Sequence, residues 1–198
     1  NWLHDQIRHD GSSGIPNVKR RAIELYDACK QQNRGLNCRG MAIVLSELYM
    51  ALGHPARFMT CQSKAYNTDP DCHVICEVWS QQLGKWLWMD PSFAAFVSDG
   101  QGHLLSIAEV RERLRTDKPL VLNEDANWNH EVKQTKEDYL DNYMAKNLYY
   151  LSCYLESGAN TEDGTHTYVT IQPKGQSFPV GGVVTHDDAW FWQAPNAQ

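Results

Sequence analysis

The sequence predicts an α+β protein in which a helix packs on an antiparallel sheet, and three observations carry that prediction. Helical periodicities come first in the chain. Two β-type runs follow, joined by a short Gly-containing connection. No strand–helix–strand alternation of the kind that builds a parallel sheet is present. A chain of 198 residues is long enough for one domain with a full core and short for two, so residues 1–198 are read as a single domain.

The elements are expected in this order. Residues 2–9 read as a short helix, and 11–16, with two glycines, two serines and a proline, as a loop. Residues 18–32 place Ala22, Leu25, Tyr26 and Cys29 on one helical face. In the next run Met41, Val44, Leu45, Leu48 and Leu52 recur at three- and four-residue steps, and Gly53 and Pro55 stop the helix. Residues 57–61, 72–79 and 86–90 read as strands, the last two joined by Ser80-Gln81-Gln82-Leu83-Gly84-Lys85 as a hairpin. Ser106 and Glu109 form a capping box that opens a helix to about residue 115. Residues 117–134 look irregular, 135–155 read as one long helix, and 165–172 alternate as a strand. Turns are expected at Gly181-Gly182 and Asp187-Asp188, before Trp190-Phe191-Trp192. The core is expected within about 1–125, with 126–198 as a helix–strand extension packed on it.

Composition narrows the function. Apolar residues make up 42% and charged residues 21%, as in ordinary globular proteins. The net charge of −6, with no basic run interleaved with aromatics, argues against nucleic acid. No apolar run reaches the ~18 residues a membrane span needs. The six cysteines are too few and too irregular for a disulfide scaffold, and they lean toward reduced thiols. The first residue is Asn, so the sequence reads as a trimmed part of a longer product, and the compartment is unassigned.

The chemistry centres on Cys38. Asn37 is a good N-cap, which leaves Cys38 in the first helical turn. There, unpaired N–H groups and the positive end of the helix dipole lower a thiol pKa. A nucleophile and a small packing cysteine are both consistent with this stretch. The hairpin supplies possible partners. His73, Ile75, Glu77 and Trp79 share one strand face, and Trp86, Trp88 and Asp90 share a face of the return strand. Opposed residues in an antiparallel pair have a constant sum and point the same way. Any odd sum therefore puts the His73 imidazole and the Asp90 carboxylate side by side, directly at 163 or diagonally at 165. A His held by an acid is the base–orienter half of a nucleophilic triad. A turn aspartate before Pro91 is the plainer alternative. A metal site from Cys61, Cys72, His73 and Cys76 is disfavoured. Cys72 and Cys76 on one strand lie about 13 Å apart at ~3.3 Å per residue, too far to share a zinc.

Taken together, Asn37-Cys38-Arg39-Gly40-Met41-Ala42, Leu52-Gly53-His54-Pro55-Ala56-Arg57-Phe58, Cys72-His73-Val74-Ile75-Cys76-Glu77-Val78-Trp79 and Lys85-Trp86-Leu87-Trp88-Met89-Asp90-Pro91-Ser92 resemble the transglutaminase-like superfamily, in a bacterial-type form, over residues 30–95. The resemblance implies a papain-like core with Cys38 as nucleophile, His73 as base and Asp90 as orienter. It implies acyl transfer from a peptide or other carboxamide through a thioester, with hydrolysis favoured over cross-linking, and without cofactor or metal. It also implies an oxyanion donor upstream of the cysteine, for which Trp2 is the candidate through its indole N–H. Tyr66, Trp79 and Trp88, with Trp86, are candidates for a substrate groove. Val74-Ile75 departs from the family's usual small residue and aromatic after the histidine. The alternative is a non-catalytic protein- or glycan-binding module on a degenerate form of this fold. The localisation stays unassigned, with the trimmed part of a bacterial extracytoplasmic protein as one reading.

Overall fold

The computed structural model describes residues 1–176 and 182–196. Three helices lead: α1 (Trp2–Gln6), α2 (Ala22–Gln32) and α3 (Cys38–Ala51). Three strands follow, β1 (Ala56–Gln62), β2 (Cys72–Ser80) and β3 (Lys85–Met89), with a short β4 (Val97–Ser98) beyond them. Then come α4 (Ile107–Arg115), β5 (Val121–Leu122), and the two-strand hairpin β6 (Asn127–Trp128) and β7 (Val132–Lys133). A wide π-type helix (Glu137–Met144) runs into α5 (Ala145–Asn147). The chain closes with β8 (Tyr150–Tyr154), β9 (Tyr168–Ile171), β10 (Val183–Thr185) and α6 (Asp188–Phe191).

The main sheet has the order β10-β9-β8-β1-β2-β3 and is antiparallel except where β10 pairs with β9. Its two faces bury separate cores. On one side Met41 and Val44 of α3 meet Leu25 of α2, Phe58 and Val74. On the other, Met59, Ile75 and Trp88 meet Ile107 and Val110 of α4 and Tyr139, Leu140 and Met144 of the π-type helix. The fold is the mixed α+β, papain-like arrangement expected from the sequence, with the Cys38 helix laid on the sheet.

Three expectations are revised. Residues 150–154 form a strand and not the end of a long helix, because β8 inserts beside β1, with Cys61 opposite Leu151. The region after 126 therefore supplies three of the six strands of the sheet, where a packed-on extension was expected. Asp187 caps α6, accepting from the Trp190 N–H at 3.1 Å, where a turn was expected. The turn at Gly181-Gly182 falls partly outside the described residues. Among those described, no helix is long and apolar enough to cross a membrane.

Candidate active site

The site forms where α3 begins and β2 begins. Asn37 caps α3 through its side-chain oxygen, which accepts from the Gly40 N–H at 2.9 Å. Cys38 is thereby held in the first turn, half-buried. Arg39 beside it donates to Glu162 Oε1 at 2.5 Å, to the Tyr154 hydroxyl at 3.1 Å, to Thr60 Oγ1 at 3.3 Å and to the Tyr168 hydroxyl. This turn of α3 is thus tied to β1, β8 and β9, and Cys38 has little freedom.

The hairpin register has the odd sum. Trp79 pairs with Trp86 and Cys76 with Met89, so His73 and Asp90 are diagonal neighbours on one face. His73 Nε2 lies 2.6 Å from Asp90 Oδ2, with both side chains almost fully buried. Asp90 accepts from three partners. Its Oδ2 also accepts from the Tyr139 hydroxyl at 2.6 Å, and its Oδ1 accepts from the Ser92 N–H at 2.8 Å. Tyr139 in turn accepts from the Trp88 indole at 3.2 Å. With Nε2 committed to Asp90, Nδ1 is the ring nitrogen left for Cys38, whose thiol His73 lowers. Phe93 and Tyr143 pack on that ring with centroids at 5.6 and 5.4 Å.

The charges follow from this geometry. Burial pushes the Cys38 thiol up, but hydrogen bonds from His73 and His9, the His73 charge and the Val74 backbone N–H outweigh it and bring the thiol down to about 6. Burial pushes His73 down. The charge and hydrogen bond of Asp90, with the contribution of Cys38, outweigh it and raise His73 to about 10. Between those limits the resting pair is thiolate and imidazolium. The other five thiols are all shifted up, chiefly by burial. None of the six cysteines is in a disulfide.

The remaining sequence candidates are placed elsewhere. Trp2 is 57% exposed and stacks on Tyr26, and among the described residues its indole makes no hydrogen bond. His9 is among the groups that lower the Cys38 thiol. The helix predicted over 2–9 ends at Gln6, and extended backbone carries His9 alongside Leu36. Trp88 is 1% exposed and braces Tyr139, so it lies in the core behind the acid and not along a groove. Trp79 packs edge-on to Trp86, about 20 Å along the strand from His73 at ~3.3 Å per residue. Tyr66 sits in the loop between β1 and β2, half-buried. Sequence reasoning missed Tyr139, Phe93 and His9, because nothing in their local patterns announces where the topology brings them. Among the described residues no three His, Cys, Asp or Glu side chains gather to hold a metal ion.

A cysteine at a buried helix N-terminus, facing a histidine that an aspartate holds from the adjoining strand, defines the class: a papain-like α+β protein equipped for thiol chemistry. Residues 1–91 match the family model described as the transglutaminase-like superfamily. No curated protein matches the chain. Among solved structures, a putative cysteine protease from Cytophaga hutchinsonii aligns with 91% of this chain at 15% identity and a TM-score of 0.35. The chain spans 45% of that protein's length. The family and the site together support a thiol-dependent enzyme.

Proposed function

We propose that the protein hydrolyses a peptide or related carboxamide through a Cys38 thioester. The observation that carries the reading is the buried His73–Asp90 pair, 2.6 Å from Nε2 to Oδ2, with His73 lowering the Cys38 thiol. The Cys38 thiolate attacks the carboxamide carbon, forming the C–S bond, and the carbonyl electrons move to oxygen. The Cys38 N–H, one of the helix's unpaired first-turn donors, faces that developing charge. His73 gives its proton to the leaving nitrogen as the C–N bond breaks. The neutral imidazole then takes a proton from water, the hydroxide adds to the thioester, and the thiolate departs. Asp90 fixes the ring orientation and stabilises its charged form throughout. Water alone completes this cycle, whereas cross-linking requires an amine to compete for the same thioester.

The test is incubation with a mixture of short peptides, with and without a primary amine. New termini that appear with the wild type and vanish with Cys38→Ala support hydrolysis. Amine incorporation in place of new carboxylates would assign transamidation. Equal products from both proteins would remove Cys38 from the chemistry.

A further inference from the structure

Two imidazoles stand at the site and lower the Cys38 thiol, and Phe93 packs against both rings. The second, His9, comes from the extended segment after α1, and the structure builds around it with unusual care. The backbone pairs with Leu36: the Leu36 N–H donates to Arg8 O at 3.2 Å, and the Asp10 N–H donates to Leu36 O at 2.7 Å. Gly35 permits this approach, because a Cβ there would stand 2.5 Å from Arg8 O. From the opposite side one side-chain amide clamps the His9 backbone. The His9 N–H donates to Asn129 Oδ1 at 2.7 Å, and Asn129 Nδ2 donates to His9 O at 2.9 Å. Asn129 and His130 both have left-handed backbone, with φ of 54° and 60°, which turns the β6–β7 hairpin tightly enough to present that amide. Phe93 lies beside the ring, 6.4 Å between centroids and 28° from parallel.

The ring's protonation pattern is fixed as well. Trp128 Nε1 lies 3.0 Å from His9 Nδ1. An indole nitrogen can only donate, so Nδ1 of His9 must accept and carries no proton. The ring's one proton then sits on Nε2, the only nitrogen left to bond Cys38. His73 is built the opposite way: an acid on one nitrogen makes it a carrier of protons, whereas an N–H donor on one nitrogen makes His9 a fixed donor.

We infer that His9, locked as its Nε2–H tautomer by Trp128, is the side-chain donor that stabilises the oxyanion formed on Cys38, with Trp128 and Asn129 as its positioning residues. The inference rests on the thioester reading above. In the thiolate state Nε2–H bonds sulfur. When the C–S bond forms, negative charge moves to an oxygen two bonds from that sulfur, within reach of a donor already aimed at Sγ. A donor fixed in advance needs no reorganisation as the charge develops. His9 therefore takes no proton in the reaction, and His73 does all the proton transfer.

The test compares two reactions of Cys38. Iodoacetamide alkylates the thiolate without forming an oxyanion, whereas p-nitrophenyl acetate acylates it through one. His9→Ala should lower the acetylation rate by roughly 100-fold and alkylation by far less, and His9→Gln, which keeps an N–H donor, should recover part of the acetylation. Trp128→Phe should give a smaller acetylation loss. In ¹⁵N-labelled wild type at neutral pH, the His9 ring should show a bare Nδ1 and a protonated Nε2, and Trp128→Phe should mix the tautomers. A proton on Nδ1 in the wild type overturns the inference, as does His9→Ala slowing both reactions by one common factor. A wild-type Cys38 that alkylates but takes no acetyl group defeats the thioester reading itself, whereas normal acetylation in His9→Ala defeats the His9 role alone.

Discussion

The β2–β3 hairpin holds two fully buried carboxylates that look alike on paper and do different work. Glu77 lies opposite Trp88 and bonds Arg57 at 2.9 and 3.1 Å and the Ile107 N–H at 3.2 Å. Asp90, at the other end of the ladder, bonds His73, Tyr139 and Ser92. Burial pushes the Glu77 carboxyl up, and Arg57 only partly offsets it. At Asp90 burial also pushes up, but His73, Tyr139 and Ser92 more than reverse it, and the carboxyl is held low. The difference lies in the partner. A guanidinium keeps its proton under all ordinary conditions, and here it is stacked beneath Trp86, Phe191 and Trp192, which seals α6 to the sheet. An imidazole can give its proton away, and His73 faces a thiol that can use the vacancy. A buried acid becomes chemical when its counter-ion is titratable and reaches a reactive atom; otherwise it is a fastening.

The sharpest way to break this comparison is to neutralise each acid in turn. Asp90→Asn should lower turnover by about 10⁴-fold, because the ring loses its orientation and its stabilised charge, while the protein stays folded with a melting temperature lowered by the loss of charge facing His73, Tyr139 and Ser92. Turnover within ten-fold of wild type would make Asp90 a turn residue like any other. Glu77→Ala should do the reverse. It strands a buried Arg57, so unfolding by denaturant should show a loss of about 3–5 kcal/mol, and the activity per folded molecule should be unchanged. Tyr139→Phe removes a hydrogen bond to a buried charge, and the same unfolding measurement should show a loss of about 1–3 kcal/mol.

The pH response sharpens the contrast between the two counter-ions. The Cys38 thiol is held at about 6, so thiolate accumulates as pH rises through that value. Iodoacetamide should label Cys38 first of the six cysteines, at a rate rising about ten-fold between pH 5 and 7. His73 is held at about 10, so turnover should fall as pH rises through that value and the leaving nitrogen loses its proton donor. Uniform labelling of the thiols at pH 6 would mean no ion pair forms. The smallest effect belongs to the loop behind Asp90, where Ala94 holds a left-handed φ of 48°. Ala94→Gly relieves that strain and loosens the unfolded chain, so the net change in unfolding free energy should stay within about 1 kcal/mol, with turnover unaffected.

What could be read in the sequence was local or periodic. Asn37, Cys38 and Gly53 announce a capped helix with a cysteine at its start, and period-two arithmetic alone required His73 and Asp90 to share a face in any odd register. The hidden parts depend on chain segments far apart in sequence. Tyr150–Tyr154 is buried at every residue, so it lacks the alternation that marks a one-sided strand and reads as helix. Trp2 stands out by residue type, yet α1 stops at Gln6 and the chain beyond it delivers His9. That outcome depends on Asn129 and Trp128, some 120 residues later, and no window of sequence contains both ends.

The placement of β8 has a consequence for how the protein is made. β1 is complete by residue 62, yet its outer neighbour begins at Tyr150. On the ribosome β1 therefore waits through almost 90 residues of synthesis with one side of its backbone unpaired, a ready template for another chain. Arg39 waits as well, since Tyr154, Glu162 and Tyr168, which hold it, come later still. A chain ended at residue 91 would carry Cys38, His73 and Asp90 but none of the strands that close the sheet, and it should aggregate through that bare edge. The surroundings of Cys38 are thus completed only after Tyr168 has emerged, more than 100 residues after Cys38 itself.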